Sequence, residues 1–339
     1  MKRIARVVIA FLLMTGFLGC PEKEVPKKPQ EPVGEPAPEP MAEERLPAVY
    51  KLFESALEDF NTLNFDGAAS LFAEDHECIL ADSATKPVKG RKALVELWKK
   101  IHLAFPDVRV EAKRILDGGD FWVFEGVITG THHGDFLGQE GTLKKLGCQL
   151  VIFSWVKDKK IQKSFICGNP LAVLKQMKSA AKTLPKGLSI PDRPEVLAAP
   201  GSPERIEIVK TFFKTFETAD LAMLSELAAS DVMIHAYGDG REISGLESLM
   251  LALVKEREAF EGNIDVEEAV AVGPYVAALV YVHGTLKGKL SAGKSGGSPI
   301  AERGVDVFRF QGGKIKEWDN YRNLMDLLKQ AGLFPPPGK

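Results

Sequence analysis

The sequence predicts an α+β protein made of two copies of one domain, each with N-terminal helices packed on a curved antiparallel sheet. Three observations predict it. The chain repeats itself: Gly90, Thr131 and Ile161 recur as Gly245, Thr285 and Ile315, at separations of 155, 154 and 154 residues. Within each copy, apolar residues first recur at helical spacing and then fall into short runs typical of strands. Those runs are separated by turn signals, DGGD and KDKK in the first copy and QGGK in the second, and helices followed by an antiparallel sheet is an α+β order.

The first copy opens with a helix carrying Val49, Leu52, Phe53, Ala56, Leu57 and Phe60 on one face, answered in the second by Ile206, Val209, Phe213 and Phe216. A short second helix is predicted over 65–72 and 221–228, with a short strand after it. A third helix follows the repeated glycine. It presents Leu94, Leu97, Trp98 and Ile101 in one copy and Leu246, Leu249, Met250 and Leu253 in the other. Strands are predicted over 108–116, 121–131, 146–156 and 161–167, and again over 264–272, 275–285, 303–310 and 314–321. Short closing helices are predicted over 171–178 and 324–330.

Outside the copies the composition changes. Lys2, Arg3 and Arg6 precede an uncharged run from Val7 to Gly19 that ends at Cys20. This reads as a secretory signal at 1–19, because such a run is shorter than the roughly 20 apolar residues a membrane-spanning helix needs. Phe17, Leu18 and Gly19 before the cysteine resemble the bacterial lipobox, which makes Cys20 the expected lipidation site and the membrane an expected partner; a plain secretory signal is the alternative. Residues 20–46 are rich in Pro and Glu and hold too few apolar groups to repay ordering, so they read as a tether. Residues 184–202 carry Pro and Gly without periodicity and read as a linker, and 335–339 as a tail. The domains therefore span 47–183 and 203–334.

With 44 basic against 46 acidic residues and no basic stripe, the chain offers nothing for a polyanion, and nucleic acid is excluded as a partner. Cys78, Cys148 and Cys167 show no metal-type spacing. Cys148 and Cys167 fall on neighbouring strands, where a disulfide or two buried thiols are both open. The stretch SAGKSGG at 291–297 has no phosphate-loop spacing and reads as a connecting loop. No cofactor and no metal site are expected.

The residues AFPDV at 104–108, GTHHGDFLG at 130–138 and PLAVLKQM at 170–177, with VHGTLKG at 282–288, KIKEW at 314–318 and LLKQAGL at 327–333, resemble the SnoaL-like branch of the nuclear transport factor 2-like superfamily. The resemblance implies cone-shaped domains, each with an apolar pocket at its open end. It also implies an acid/base aspartate just before the closing helix of a cyclase. That position holds Asn169 in one copy and Asn323 in the other, and an amide can orient a ligand but cannot take up a proton. The expected pocket liners are His132, Asn169, His235, Tyr281, His283, Trp318, Tyr321 and Asn323. His132 has an alternative reading as part of a structural turn, and Asp306 one as an inward carboxylate. No catalytic residue is assigned. The sequence thus points to a membrane-anchored extracytoplasmic protein that binds a small apolar molecule or a partner without catalysis. A cyclase- or isomerase-like enzyme acting on a carbonyl or ester with a relocated acid/base residue is the alternative. A scaffold in which the two cones pack sheet to sheet is the third possibility.

Overall fold

In a computed structural model the chain is described over residues 48–179, 184, 188, 190–238, 240–287 and 297–332. The leader, Cys20, the Pro/Glu-rich tether, the tail and most of the 291–297 stretch lie outside the described residues. The first copy runs α1 (Ala48–Asn61), α2 (Phe65–Ala69), β1 (Phe72–Leu80), β2 (Val88–Lys89), α3 (Arg91–Ala104), β3 (Arg109–Asp117), β4 (Phe121–Thr131), β5 (Lys145–Lys157), β6 (Lys160–Gly168) and α4 (Pro170–Lys178). After β7 (Glu195–Leu197), the second repeats the order as α5 (Glu204–Thr218), α6 (Leu221–Leu227), β8 (Ala228–Ala236), β9 (Arg241–Ser244), α7 (Leu246–Ala259), β10 (Phe260–Val272), β11 (Tyr275–Leu286), β12 (Ser298–Gln311), β13 (Lys314–Tyr321) and α8 (Leu324–Gln330).

Local chemistry explains why the two halves match. Gly90 and Gly245 precede α3 and α7 at φ 85° and 84°, a region where a side chain is strained and glycine is not. The β5–β6 and β12–β13 hairpins turn through Asp158–Lys159 and Gly312–Gly313, all four at positive φ. Such two-residue turns match the right-handed twist of the strands they join. The sheets consequently share one order, β2-β1-β6-β5-β4-β3 and β9-β8-β13-β12-β11-β10, antiparallel except where β1 meets β6 and β8 meets β13.

One face of each sheet holds the helices. In the first cone Val49, Phe53 and Phe60 of α1 are buried, and the Phe53 ring packs on Phe124 and Trp122 at 5.8 and 5.7 Å. In the second, Phe212 and Phe213 of α5 pack edge-on to Phe308 and Trp318. The opposite faces lie against each other. Leu116, Val123, Val151, Phe153, Phe165 and Cys167 form one buried cluster with Val270, Val272, Tyr275, Ala277, Leu279, Val305, Val307 and Tyr321.

Charge is enclosed in the same interface. Arg114 places Nη1 2.5 Å from Glu125 and 3.3 Å from Asp319, and Nε 3.0 Å from Glu195. Lys113 reaches Asp319 at 3.1 Å and the Tyr237 hydroxyl at 3.0 Å, while Tyr321 donates to Glu125 at 2.8 Å. Burial pulls against ionisation of Asp319, yet Lys113 and Arg114 hold its carboxyl below the ordinary range.

The stretch between the copies, expected as a linker without periodicity, contains one short strand. β7 adds a seventh strand beside β3, with Arg114 opposite Glu195. Glu195 accepts a hydrogen bond from Tyr275 of the second copy at 2.8 Å, and Pro200 bridges to Val272. Cys148 and Cys167 sort to opposite faces of the first sheet, one in the cone and one in the interface, and both are free thiols.

Candidate functional site

The first cone contains a cavity of about 110 Å³ with apolar walls, between the end of α3 and the adjoining ends of β4 and β5. Ile101, Phe105, Val108, Ile128, Phe136 and Cys148 line it, and Val173 of α4 closes one side. No carboxylate or lysine reaches it. Val108 and Phe105 come from the AFPDV turn, and Asp107 of that turn caps the end of β4 by accepting from the Thr131 hydroxyl at 2.7 Å. His132 stacks on Phe105 with ring centroids 5.3 Å apart and is fully buried. Its Nδ1 accepts from the Thr142 amide at 3.3 Å, and burial lowers its pKa, so the ring is neutral. It acts as backing for the cavity wall.

The second cone is filled differently. Position 302 corresponds to 148 and position 306 to 152, as the matched pairs Gly130–Leu146 with Gly284–Ile300 establish. Where the first cone has Cys148 and Ile152, the second therefore has Glu302 and Asp306. Asp306 is fully buried and accepts from Trp318 Nε1, Asn320 Nδ2 and Arg322 Nη2, each at 2.7 Å. Glu302 sits 3.8 Å from Arg322 and keeps Oε2 buried without a partner, as does Glu256 of α7. Burial pushes both glutamates up to about 7, against the opposing pull of Arg322. Both carboxyls are thereby placed to exchange a proton near neutral pH.

A family model described as SnoaL-like polyketide cyclase matches residues 50–177 and again residues 207–331. The chain belongs to that family. Solved structures similar to it include IdmH from Streptomyces antibioticus, at 22% identity and TM-score 0.36 over 39% of this chain and 99% of that one. AclR from Streptomyces galilaeus matches at 22% and 0.35 over 38% and 95%, and an epoxide hydrolase of M. tuberculosis at 17% and 0.32 over 39% and 87%. No curated protein matches it.

The two asparagines at the place of the SnoaL-like aspartate are now explained by their contacts. Asn169 and Asn323 are the N-caps of α4 and α8, accepting from the amides of Ala172 and Asp326 at 3.1 and 3.3 Å. Their amide NH2 groups cross to the other domain. Asn169 donates to the carbonyls of Tyr237 and Gly238 at 2.6 and 2.9 Å, and Asn323 donates to the carbonyl of Ala81. Tyr237 and Ala81 are the first residues after β8 and β1, so the two contacts are related copies. An aspartate could cap but could not donate. Asn169→Asp and Asn323→Asp are each expected to lower stability by about 1–3 kcal/mol, measured by urea denaturation, because a carboxylate would face carbonyl oxygens. A neutral result would show that the crossing bonds contribute little.

Among the other expected liners, Tyr281 shares a cavity of about 170 Å³ between the two domains with Asn323, Asp326 and Glu302, and the rest do not converge. Tyr281 and His283 share a face and stack at 5.0 Å, but it is the face turned from the cone, where His283 pairs with Asp265 at 2.8 Å. His235 likewise points out of the cone, near Glu242 at 3.4 Å. Tyr321 lies in the interface and Trp318 is core, stacked on Phe308 at 5.7 Å. Sequence reasoning missed three groups: Glu256, Glu302 and His76. His76 is buried in the first cone, 2.9 Å from Ser164, and burial lowers its pKa to about 4.

Proposed function

We propose that this SnoaL-like chain is an envelope protein, held by lipid on Cys20 and facing the periplasm or cell exterior, whose first cone binds a small apolar molecule without transforming it. The observation that carries the reading is the apolar wall of the 110 Å³ cavity. A space of that order suits a short alkyl or ring fragment, as an engineered cavity of about 150 Å³ admits benzene. The nearest titratable ring, His132, is turned to Thr142 and kept neutral. Asn169, standing where a cyclase would carry its acid/base, is committed to a cap and to the second domain.

Native mass spectrometry of gently purified protein is expected to retain a small apolar molecule, and Val173→Trp, which fills the cavity, to abolish retention while the fold persists. A wild-type protein that carries nothing and responds to no member of a metabolite panel in thermal-shift assays would overturn the reading. The second reading, an isomerase- or cyclase-like enzyme with a relocated acid/base, is favoured by one observation, the unpaired buried oxygen of Glu302 beside Arg322. It requires that Glu302→Gln abolish turnover of a carbonyl or ester substrate while leaving binding intact.

A further inference from the structure

We propose that the mouth of the first cone docks on a phospholipid bilayer, so that its apolar ligand enters from the membrane rather than from water. The proposal rests on the apolar-binding reading for the ligand, and on the mouth's own geometry for the docking.

Among the described residues of the first domain, the exposed large hydrophobics are Leu63, Leu103, Leu137 and Leu143. Leu103, at 74% exposure, ends α3 two residues before the cavity wall at Phe105. Leu143, at 70%, lies in the loop that returns along His132, its amide donating to the His132 carbonyl at 2.8 Å. Leu137 tips a tight turn in which Phe136 and Gln139 pair, and Phe136 itself lines the cavity. Backbone bonds from His133 and Gly134 to the Ala104 carbonyl fasten this loop to the end of α3. Leu63 sits in the turn after α1, which Asn61 ties to Val110, two residues beyond the cavity-lining Val108.

The backbone makes the pattern harder to dismiss as scattered surface leucines. Leu137 and Leu143 adopt φ 54° and 55°, the left-handed region that favours Gly and Asn. The Leu137–Gly138 turn is of the type that ordinarily takes Asn-Gly. With Leu63 at φ 66°, three exposed leucines of the mouth therefore occupy unfavourable conformations, which costs stability both in backbone strain and in apolar surface left in water. A bilayer would repay it.

The surrounding charge is mixed, with Asp135 and Glu140 beside Lys144 and Lys145, so attraction to a polyanion is not what the loop offers. Reach is sufficient. With Asn61 at the mouth, the start of α1 stands about 21 Å away at 1.5 Å per residue. Twenty-seven residues, 21–47, separate that start from Cys20, and 21 Å is within the reach of about seven extended residues at about 3.3 Å each. A chain held at Cys20 can turn its mouth to the membrane.

The test uses the full lipidated chain in phosphatidylcholine vesicles, with an environment-sensitive dye on Leu137→Cys or, at the far end of the sheet, on Lys159→Cys. Cys78, Cys148 and Cys167 are buried and do not compete for the label. Brominated phosphatidylcholine should quench the dye at 137 at least twofold more than the dye at 159. A dye on Leu103→Cys should lose its quenching when Leu137 and Leu143 are both replaced by Asn, the residue their backbone favours. Equal, water-like signals at 137 and 159 would overturn the proposal, as would quenching at 103 that ignores the double replacement. Mass spectrometry of the same sample separates the two readings. A retained ligand with unquenched dyes sinks docking alone, and quenching with no ligand sinks only the binding reading.

Discussion

Replacing Arg114 by methionine is expected to destabilise the protein by about 3–5 kcal/mol, the usual effect of removing one partner from a buried ion pair. The guanidinium is only 7% exposed at its side chain and stands among Glu125, Asp319 and Glu195. Methionine would fill much of its volume, yet two buried carboxylates would lose a cation that no water can replace. Lys113 would still serve Asp319, and the Tyr321 hydroxyl would still serve Glu125, so the loss belongs in the lower half of that range if these partners shift closer. Arg309→Met is the control. Its bidentate pair with Glu317, at 2.8 Å for both bonds, is about one-third exposed and should be worth no more than about 1 kcal/mol. Urea midpoints for the two variants decide the matter; equal shifts would mean that the interface charges are as well solvated as surface ones.

Glu302→Gln should do the opposite, and only above a certain pH. The folded carboxyl titrates at about 7, whereas an unfolded glutamate titrates near 4.5. Between those values the folded state binds more protons than the unfolded state, so stability contributed by Glu302 is complete at low pH and is lost as pH rises to about 7. Glutamine mimics the protonated form throughout. The variant should therefore match wild type near pH 4.5 and exceed it by roughly 3 kcal/mol at pH 8, one pKa unit being about 1.4 kcal/mol. His76 acts in the other direction: lowered to about 4, it costs stability as pH falls below its unfolded value near 6.5. The wild-type profile mixes these effects, and the difference between variant and wild type isolates Glu302. A difference that stays flat from pH 5 to 8 would show that water reaches the glutamate.

Much of the architecture was readable because turn chemistry and periodicity agree. The bounds of β4 and β13 coincide with the predicted 121–131 and 314–321, since each begins at a two-residue turn signal. β7 could not be read: three residues among prolines carry no period, and they form a strand only because β3 offers a free edge. The cone face of each strand was equally hidden. Runs such as Trp122–Val123–Phe124 are buried on both sides, so alternation tells which residues share a face but not which face is the cone. Tyr281 and His283 do share a face, as their spacing implies, yet that face is not the cone's, and Tyr281 lines the cavity between the domains instead. Glu302 and Glu256 gave no sign at all, because a buried glutamate and a solvated one look alike until the opposite wall is known.

The charge network between the sheets has one further consequence. At the positions that mirror Glu125, Asp319 and Tyr321, 154 residues away, the chain has Leu279, Phe165 and Cys167. Two identical subunits meeting about a two-fold axis would have to carry every such group twice, and every substitution would strike both sides at once. A fused duplicate is free of that rule. One half can supply the cation and the other the anion, and one interior can turn acidic while its twin stays greasy. Unlinked halves expressed separately should accordingly prefer each other to themselves, a bias written into three mismatched positions.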